Sequence, residues 1–224
     1  MILYVLQTNN ERYGASFEII QDGYIVGSAA LQGHAAFPEG SWQIAYLNWK
    51  WTMCPLPASE LPAFLRQRKG MNAARPYHTE KAVIYLGHRK SGVFKPVCNF
   101  VRMESDAGIF ETFSVGCGKE GIKSPLFEGD RQVALAESGS AIFNDLHHYR
   151  IAALDETAAR EALNTVFYCY VIGAYHAGKK TVEGKYVHIV KTTAKELKAK
   201  YDPLFLLQER NSAPSADEFF RTLC

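Results

Sequence analysis

The sequence predicts an α+β protein in which an antiparallel, barrel-like β-sheet wraps around one long apolar helix, with short helices at the C-terminus. Most segments before residue 155 alternate apolar and polar residues or carry the β-branched and aromatic residues typical of strands. Residues 155–177 then read as a helix, and 162–178 contain no Asp, Glu, Lys or Arg. A helix without a charged face must be covered by protein or lipid, and the preceding strands can cover it.

Length and composition fit a single domain spanning residues 1–224. Hydrophobic residues make up 47% of the 224, which is enough for a sizeable core. Charged residues make up 21%, and the mean hydropathy is −0.16, both ordinary for a globular protein. The net charge of +2 gives no argument for nucleic-acid binding.

The strands fall into two series separated by a polar, proline-containing stretch. The first series begins at residue 2 and includes a hairpin at Asp22-Gly23, a strong turn signal. Residues 55–81 predict an excursion from the main fold, because Pro55 and Pro57 end the preceding strand. The predicted strands are 2–8, 16–21, 24–32, 42–54, 82–89, 93–104, 109–117, 131–137, 141–144 and 149–154.

The predicted helix carries signals at both ends. The sequence predicts Asp155 as the N-cap and Gly178 as the C-terminal cap. The core prediction is burial of Leu163, Val166, Phe167, Val171 and Ala174. A C-terminal extension, 179–224, then holds a strand at 186–191 and two short helices opened by the capping boxes Thr193–Glu196 and Ser215–Glu218.

The cysteines indicate a reducing compartment. There are five, at wide spacings and without a CxxC pair, so the sequence predicts neither a disulfide nor a metal site: Cys54, Cys98, Cys117, Cys169 and Cys224. The N-terminus, Met-Ile-Leu-Tyr-Val-Leu, lacks the basic start of a signal peptide and reads as a strand. We therefore expect a cytoplasmic protein. The uncharged window of 17 residues is shorter than the roughly 20 that span a membrane, so a core helix is expected.

Basic residues are concentrated after the helix. Between 179 and 200 the chain has seven lysines against two glutamates, while the rest of the chain has 18 basic and 21 acidic residues. Such asymmetry is typical either of a site for an anionic lipid or of an ordinary solvated surface, and both interpretations stand. The candidate ligands are Lys179, Lys180, Lys185, Lys191, Lys195, Lys198 and Lys200.

A second hypothesis places a thiol enzyme in the chain. A cysteine nucleophile needs a base and an orienting group, and Cys117 with His147 or His148 and Asp145 would supply them. The two histidines are adjacent, so on a strand they face opposite sides and cannot ligate one metal together without help. The sequence predicts no cofactor.

The order of strands and helix resembles that of a known family. The stretches that carry the likeness are 127–137, 143–155 and the helix, about a quarter of the chain. This pattern is similar to the Tubby C-terminal-like superfamily, which includes the LURP-one-related proteins and the scramblases. The resemblance implies a closed barrel threaded by a hydrophobic helix, and membrane-lipid or phosphoinositide binding for some members. In that family the helix usually closes the domain, whereas 47 residues follow Ala177 here.

Together these observations favour a non-enzymatic cytoplasmic barrel-type protein that binds an anionic lipid surface or a protein partner and has no transmembrane span. The sequence does not determine the oligomeric state. The alternatives are a hydrolase with the cysteine–histidine site and a peripheral membrane protein that uses the basic segment.

Overall fold

The computed structural model of the chain describes residues 1–11, 14–34, 37–60, 76–90, 97–115, 121–139, 141–142, 146–172, 180–181 and 195–223. The strands are β1 (Ile2–Glu11), β2 (Gly14–Gln21), β3 (Tyr24–His34), β4 (Phe37–Tyr46), β5 (Trp49–Pro55), β6 (Tyr77–His78), β7 (Ala82–Lys90), β8 (Val97–Ser105), β9 (Gly108–Thr112), β10 (Lys123–Glu128), β11 (Arg131–Ser138), β12 (Ala141–Ile142), β13 (His148–Ala153) and β14 (Lys180–Thr181). The helices are α1 (Glu156–Val171), α2 (Lys195–Lys200), α3 (Leu207–Ser212) and α4 (Ala216–Leu223), with a 3₁₀ turn at Ala58–Glu60.

Twelve of the strands close into an antiparallel barrel. The order around the barrel is β1-β13-β11-β10-β9-β8-β7-β6-β5-β4-β3-β2, and β12 pairs with β14 in a separate parallel ladder. This confirms the predicted antiparallel, barrel-like sheet, the helix that follows it and the short C-terminal helices.

The predicted strand 42–54 is wrong, because the chain turns within it. Residues Leu47 and Asn48 join β4 to β5 as a hairpin, in which Tyr46 pairs with Trp49. Leu47 adopts a φ of 52°, a left-handed conformation that few non-glycine residues take. Because a leucine occupies this position where a glycine would be expected, the sequence gives no signal for the turn. The aromatic run Trp42–Trp51 therefore reads as one strand although it forms two.

The sequence does not predict the strand β10, because this strand contains Pro125. Pro125 lies inside β10, opposite Leu135 of β11, whereas proline normally argues against a central strand. The ladder between β10 and β9 covers only Leu126, Phe127 and Glu128. One side of the strand therefore has no ladder at Pro125, where a missing N–H is tolerated.

The helix α1 begins where the sequence predicts. Asp155 caps it, because its carboxylate accepts the N–H of Ala158 at 2.8 Å. The helix ends at Val171, earlier than predicted, and the expected C-cap Gly178 lies outside the described residues. Leu163, Val166 and Phe167 are fully buried, as predicted, whereas Val171 is half-buried and Ala174 falls outside the described part.

The buried surface of α1 is not uniformly apolar. Glu161, Asn164 and Thr165 are as deeply buried as their apolar neighbours. The helix contacts β4, β8, β11 and β13, and its apolar side chains share one core cluster with inward-facing residues of the strands. Among the described residues, no helix is both long and apolar enough to cross a membrane.

The C-terminal segment, residues 201–223, covers the outside of the barrel at β1, β11 and β13. The side chains of β1 alternate: Leu3 and Val5 join the interior cluster, and Tyr4 packs outward against Phe219 with ring centroids 3.7 Å apart. The capping box that opens α4 forms as predicted. The N–H of Ser215 donates to the Glu218 carboxylate at 2.8 Å, and the N–H of Glu218 donates to the Ser215 hydroxyl at 3.3 Å.

Candidate binding surface at the turn end of the barrel

One end of the barrel is built from hairpin turns. Because neighbouring strands are antiparallel, the turns joining β2 to β3, β4 to β5, β6 to β7, β8 to β9 and β10 to β11 all lie at the same end. The link from β13 to α1 lies there too, since the amino group of Met1 donates to the carbonyl of Ala153 at 2.8 Å. We call this end the turn end.

The barrel wall has a gap at the turn end, between β5 and β7. The strand between them, β6, has two residues and pairs with β5 only at Cys54 and Pro55. In the described part of the chain, residues 49–53 of β5 therefore have no strand partner on that side. The gap opens into a cleft of about 230 Å³ that reaches α1.

A polar network forms the floor of this cleft. The indole N–H of Trp51 donates to Asn164 Oδ1 at 2.8 Å, and Asn164 Nδ2 donates to Glu161 Oε2 at 3.0 Å. Arg160 donates to the other carboxylate oxygen of Glu161 through Nη2 at 2.8 Å and Nε at 3.2 Å. Glu161 is only 2% exposed, so this network satisfies a carboxylate that burial would otherwise make costly.

The rim of the cleft combines one indole with two cations. The guanidinium of Arg160 lies 5.3 Å from the ring centroid of Trp49, and the ammonium of Lys81 lies 6.0 Å from it. Lys81 also forms an exposed ion pair with Asp106 at 3.5 Å. Cations at this distance are attracted to the indole face, which holds these side chains together at the cleft mouth.

Exposed apolar side chains also concentrate at the turn end. Eight large hydrophobic residues are exposed in the described part of the chain, and six of them lie on these turns or beside them. Scattered exposed hydrophobics are normal, whereas a local concentration marks an interaction site. The six are Tyr24, Ile25, Leu47, Trp49, Ile109 and Leu154; the other two are Leu204 and Leu223 of the C-terminal segment.

The structure describes four of the predicted lysines, and the anionic-lipid site formed by the whole set stays a prediction. The backbone of Lys180 lies in β14, beside β12 and just beyond the Ser138 end of β11, and the backbones of Lys195 and Lys198 lie in α2. Lys200 lies at the opposite end of β11, where its ammonium bonds the carboxylate of Asp130. That bond lowers the pKa of Asp130, and the charge of Lys200 is paired with this carboxylate. Lys179, Lys185 and Lys191 lie outside the described residues.

The two adjacent histidines face different surroundings. The backbone of His147 exchanges hydrogen bonds with Gln7, and its ring packs edge-on against Tyr170 with centroids 5.3 Å apart. The ring of His148 bonds Asp217 at 2.6 Å and stacks on Phe220.

Both imidazoles are buried and lie in separate environments, although only His148 belongs to β13 and His147 precedes the strand. Cys117 and Asp145 lie outside the described residues, so the hydrolase hypothesis stays a prediction.

Sequence reasoning missed the cleft, although two local signals exist. Trp49 and Trp51 are two apart on a strand, which places both indoles on one face. Glu161 and Asn164 are three apart on a helix, which makes them neighbours on its surface. Neither signal shows that the strand and the helix meet.

Comparison of the chain with protein-family models, with curated proteins and with solved structures finds no match.

Proposed function

We propose that this protein is a non-enzymatic docking module with a Tubby C-terminal-like architecture, in which α1 is a central helix filling the barrel. Support comes from the interior cluster, where Phe167 of α1 packs 4.7 Å from the ring of Trp42 on β4 and 5.6 Å from that of Phe17 on β2. A barrel filled in this way leaves recognition to its outer surface.

The observation that carries the proposal is the concentration of exposed apolar side chains at the turn end. Ile25 is 63% exposed and Ile109 is 48% exposed, on hairpins from different parts of the wall. Leaving several such side chains in water costs free energy that an interface would recover. The turn end is therefore the docking surface of the module.

Charge at the turn end favours a protein partner over an anionic membrane. Among the described residues, seven exposed carboxylates lie at these turns against four exposed cations, two of which are paired: Lys81 with Asp106 and Lys200 with Asp130. An anionic membrane attracts basic segments and would be repelled by this balance. A protein with an apolar face bordered by lysines and arginines complements it. The carboxylates are Asp22, Glu80, Asp106, Glu128, Asp130, Asp155 and Glu156; the cations are Lys50, Lys81, Arg131 and Lys200.

The test compares two variants that each place acidic groups on an exposed apolar position. The double variant Ile25→Glu/Ile109→Glu alters the turn end, and Leu204→Glu alters an equally exposed site on the C-terminal segment. Partners captured by the immobilised wild type are purified and their affinities measured at low and raised salt. We expect a basic partner that Leu204→Glu binds normally and that the double variant binds about tenfold more weakly. Its affinity should fall with salt.

Vesicles of phosphatidylcholine, with and without phosphatidylserine, are sedimented with the same proteins. If the wild type sediments with phosphatidylserine vesicles and the double variant does not, the occupant of the turn end is an anionic membrane and the proposal of a protein partner is wrong. Identical behaviour of the double variant and the wild type in every assay would show that the turn end is not a docking surface.

A further inference from the structure

We propose that the cleft between β5 and β7 binds a small organic anion with a planar apolar body, such as an aromatic carboxylate. This site goes beyond the docking function, because it needs no macromolecular partner and lies in the wall of the barrel.

The shape of the cleft favours a small planar ligand. Trp49 and Trp51 line it from the same face of β5, and Ala82 lines it from β7. Aromatic side chains bind flat apolar groups by stacking or by edge contacts. The volume of about 230 Å³ lies below the roughly 300 Å³ at which pockets for drug-sized ligands begin. A one- or two-ring molecule therefore suits the cleft better than a lipid chain or a peptide.

The charges of the cleft favour an anion. Three cations and two carboxylates line it, and one carboxylate, that of Glu161, already accepts hydrogen bonds from Arg160 and Asn164. The donors that remain belong mainly to cations. Arg160 uses Nε and Nη2 on Glu161, and in the described part of the chain its Nη1 has no protein acceptor. The Lys81 ammonium, which has three N–H donors, contacts one carboxylate at 3.5 Å.

The arrangement is preorganised. Arg160 and Lys81 both lie over the Trp49 ring, so the anion-binding groups and the apolar wall are held together before a ligand arrives. The network from Trp51 through Asn164 to Glu161 fixes the floor in the same way. A site that is already ordered loses less entropy on binding. A carboxylate held by the two cations would place its ring system against the indoles.

The experiment uses benzoate and indole-3-acetate as probes, with benzamide as the neutral match for benzoate. Binding to the full chain is followed by saturation-transfer NMR and calorimetry. We expect both carboxylates to bind and benzamide to bind about tenfold more weakly. Lys81→Gln should weaken benzoate binding by a similar factor. Lys200→Gln removes a lysine that pairs with Asp130 outside the cleft and should leave the dissociation constant unchanged.

Trp49→Leu supplies a second test of the apolar wall, with thermal unfolding showing that each variant is folded. It should weaken indole-3-acetate, which has two rings, more than benzoate. The turn-end variant Ile25→Glu/Ile109→Glu should keep full benzoate affinity, so a failure of the docking proposal leaves this one standing. Equal affinities for benzoate and benzamide, or no binding of either carboxylate to folded wild type, would overturn the proposed site.

Discussion

Replacing Glu137 by Gln should destabilise the protein by about 3 kcal/mol, because it breaks a buried ion cluster on the outer wall. The Glu137 carboxylate accepts the Nε of Arg150 at 2.7 Å and the Nη2 of Arg210 at 2.9 Å. The side chains of all three residues are buried. Removing one partner of a buried pair costs about 3–5 kcal/mol, since the remaining charges lose compensation. A glutamine keeps some hydrogen bonds, which places the expected loss at the lower end.

Urea unfolding followed by circular dichroism measures this loss, with Glu104→Gln as the control. Glu104 pairs with Arg102 at 2.9 Å on an exposed surface, where such a pair contributes about 0–1 kcal/mol. Arg150 also donates to the carbonyls of Ala213 and Pro214, so limited proteolysis of Glu137→Gln should cut first within the C-terminal segment. A free energy of unfolding no lower than that of Glu104→Gln would refute the reasoning.

Four further measurements test the interior and the helix. Phe167→Ala should cost about 3–5 kcal/mol in the free energy of unfolding, because the ring is fully buried; a loss below 1 kcal/mol would contradict its packing. In the native protein Cys169 should react with a thiol reagent more slowly than Cys54, which is half-buried; equal rates would contradict the difference in burial. Asp155→Ala should cost about 1 kcal/mol through loss of the N-cap, and Asp155→Asn much less. Burial raises the pKa of Tyr46 from 10.0 to about 12. Between pH 10 and about pH 12 the Tyr46 hydroxyl loses its proton in the unfolded chain but keeps it in the folded protein. The free energy of unfolding therefore has its full Tyr46 contribution below pH 10 and loses it as the pH rises from 10 to about 12. In an ultraviolet titration of the native proteins, the wild type should show a tyrosine ionisation near pH 12 that Tyr46→Phe lacks.

The antiparallel barrel could be predicted because its strands follow local rules. The turn at Asp22-Gly23 and the apolar–polar alternation along β2 and β8 are visible within a few residues. The helix start was predictable for the same reason, since Asp155 caps it locally. The turn at Leu47-Asn48 was not, because tertiary pairing of Tyr46 with Trp49 imposes a conformation that leucine does not prefer.

The cleft could not be predicted, because it depends on contacts between distant parts of the chain. Its gap exists because β6 is short, and its floor exists because Asn164 of α1 meets Trp51 of β5. Those two residues are 113 apart in sequence. The pattern of α1 also concealed the role of Glu161, since a charged residue before an uncharged run reads as the solvated start of a helix.

The distribution of apolar surface supports the proposal that the turn end faces a partner. On β1 both faces are apolar, and on β13 Ala152 faces outward, so an isolated barrel would expose Tyr4, Leu6 and Ala152 to water. The C-terminal segment covers them: Phe220 packs with Tyr4 and Leu6, and Phe205 packs with Ala152. The chain thus covers the apolar side of its own barrel. In the described part of the chain nothing equivalent covers the side chains at the turn end, which remain exposed next to a cleft with cations at its mouth. A protein partner docked at the turn end, as we propose, would cover these side chains.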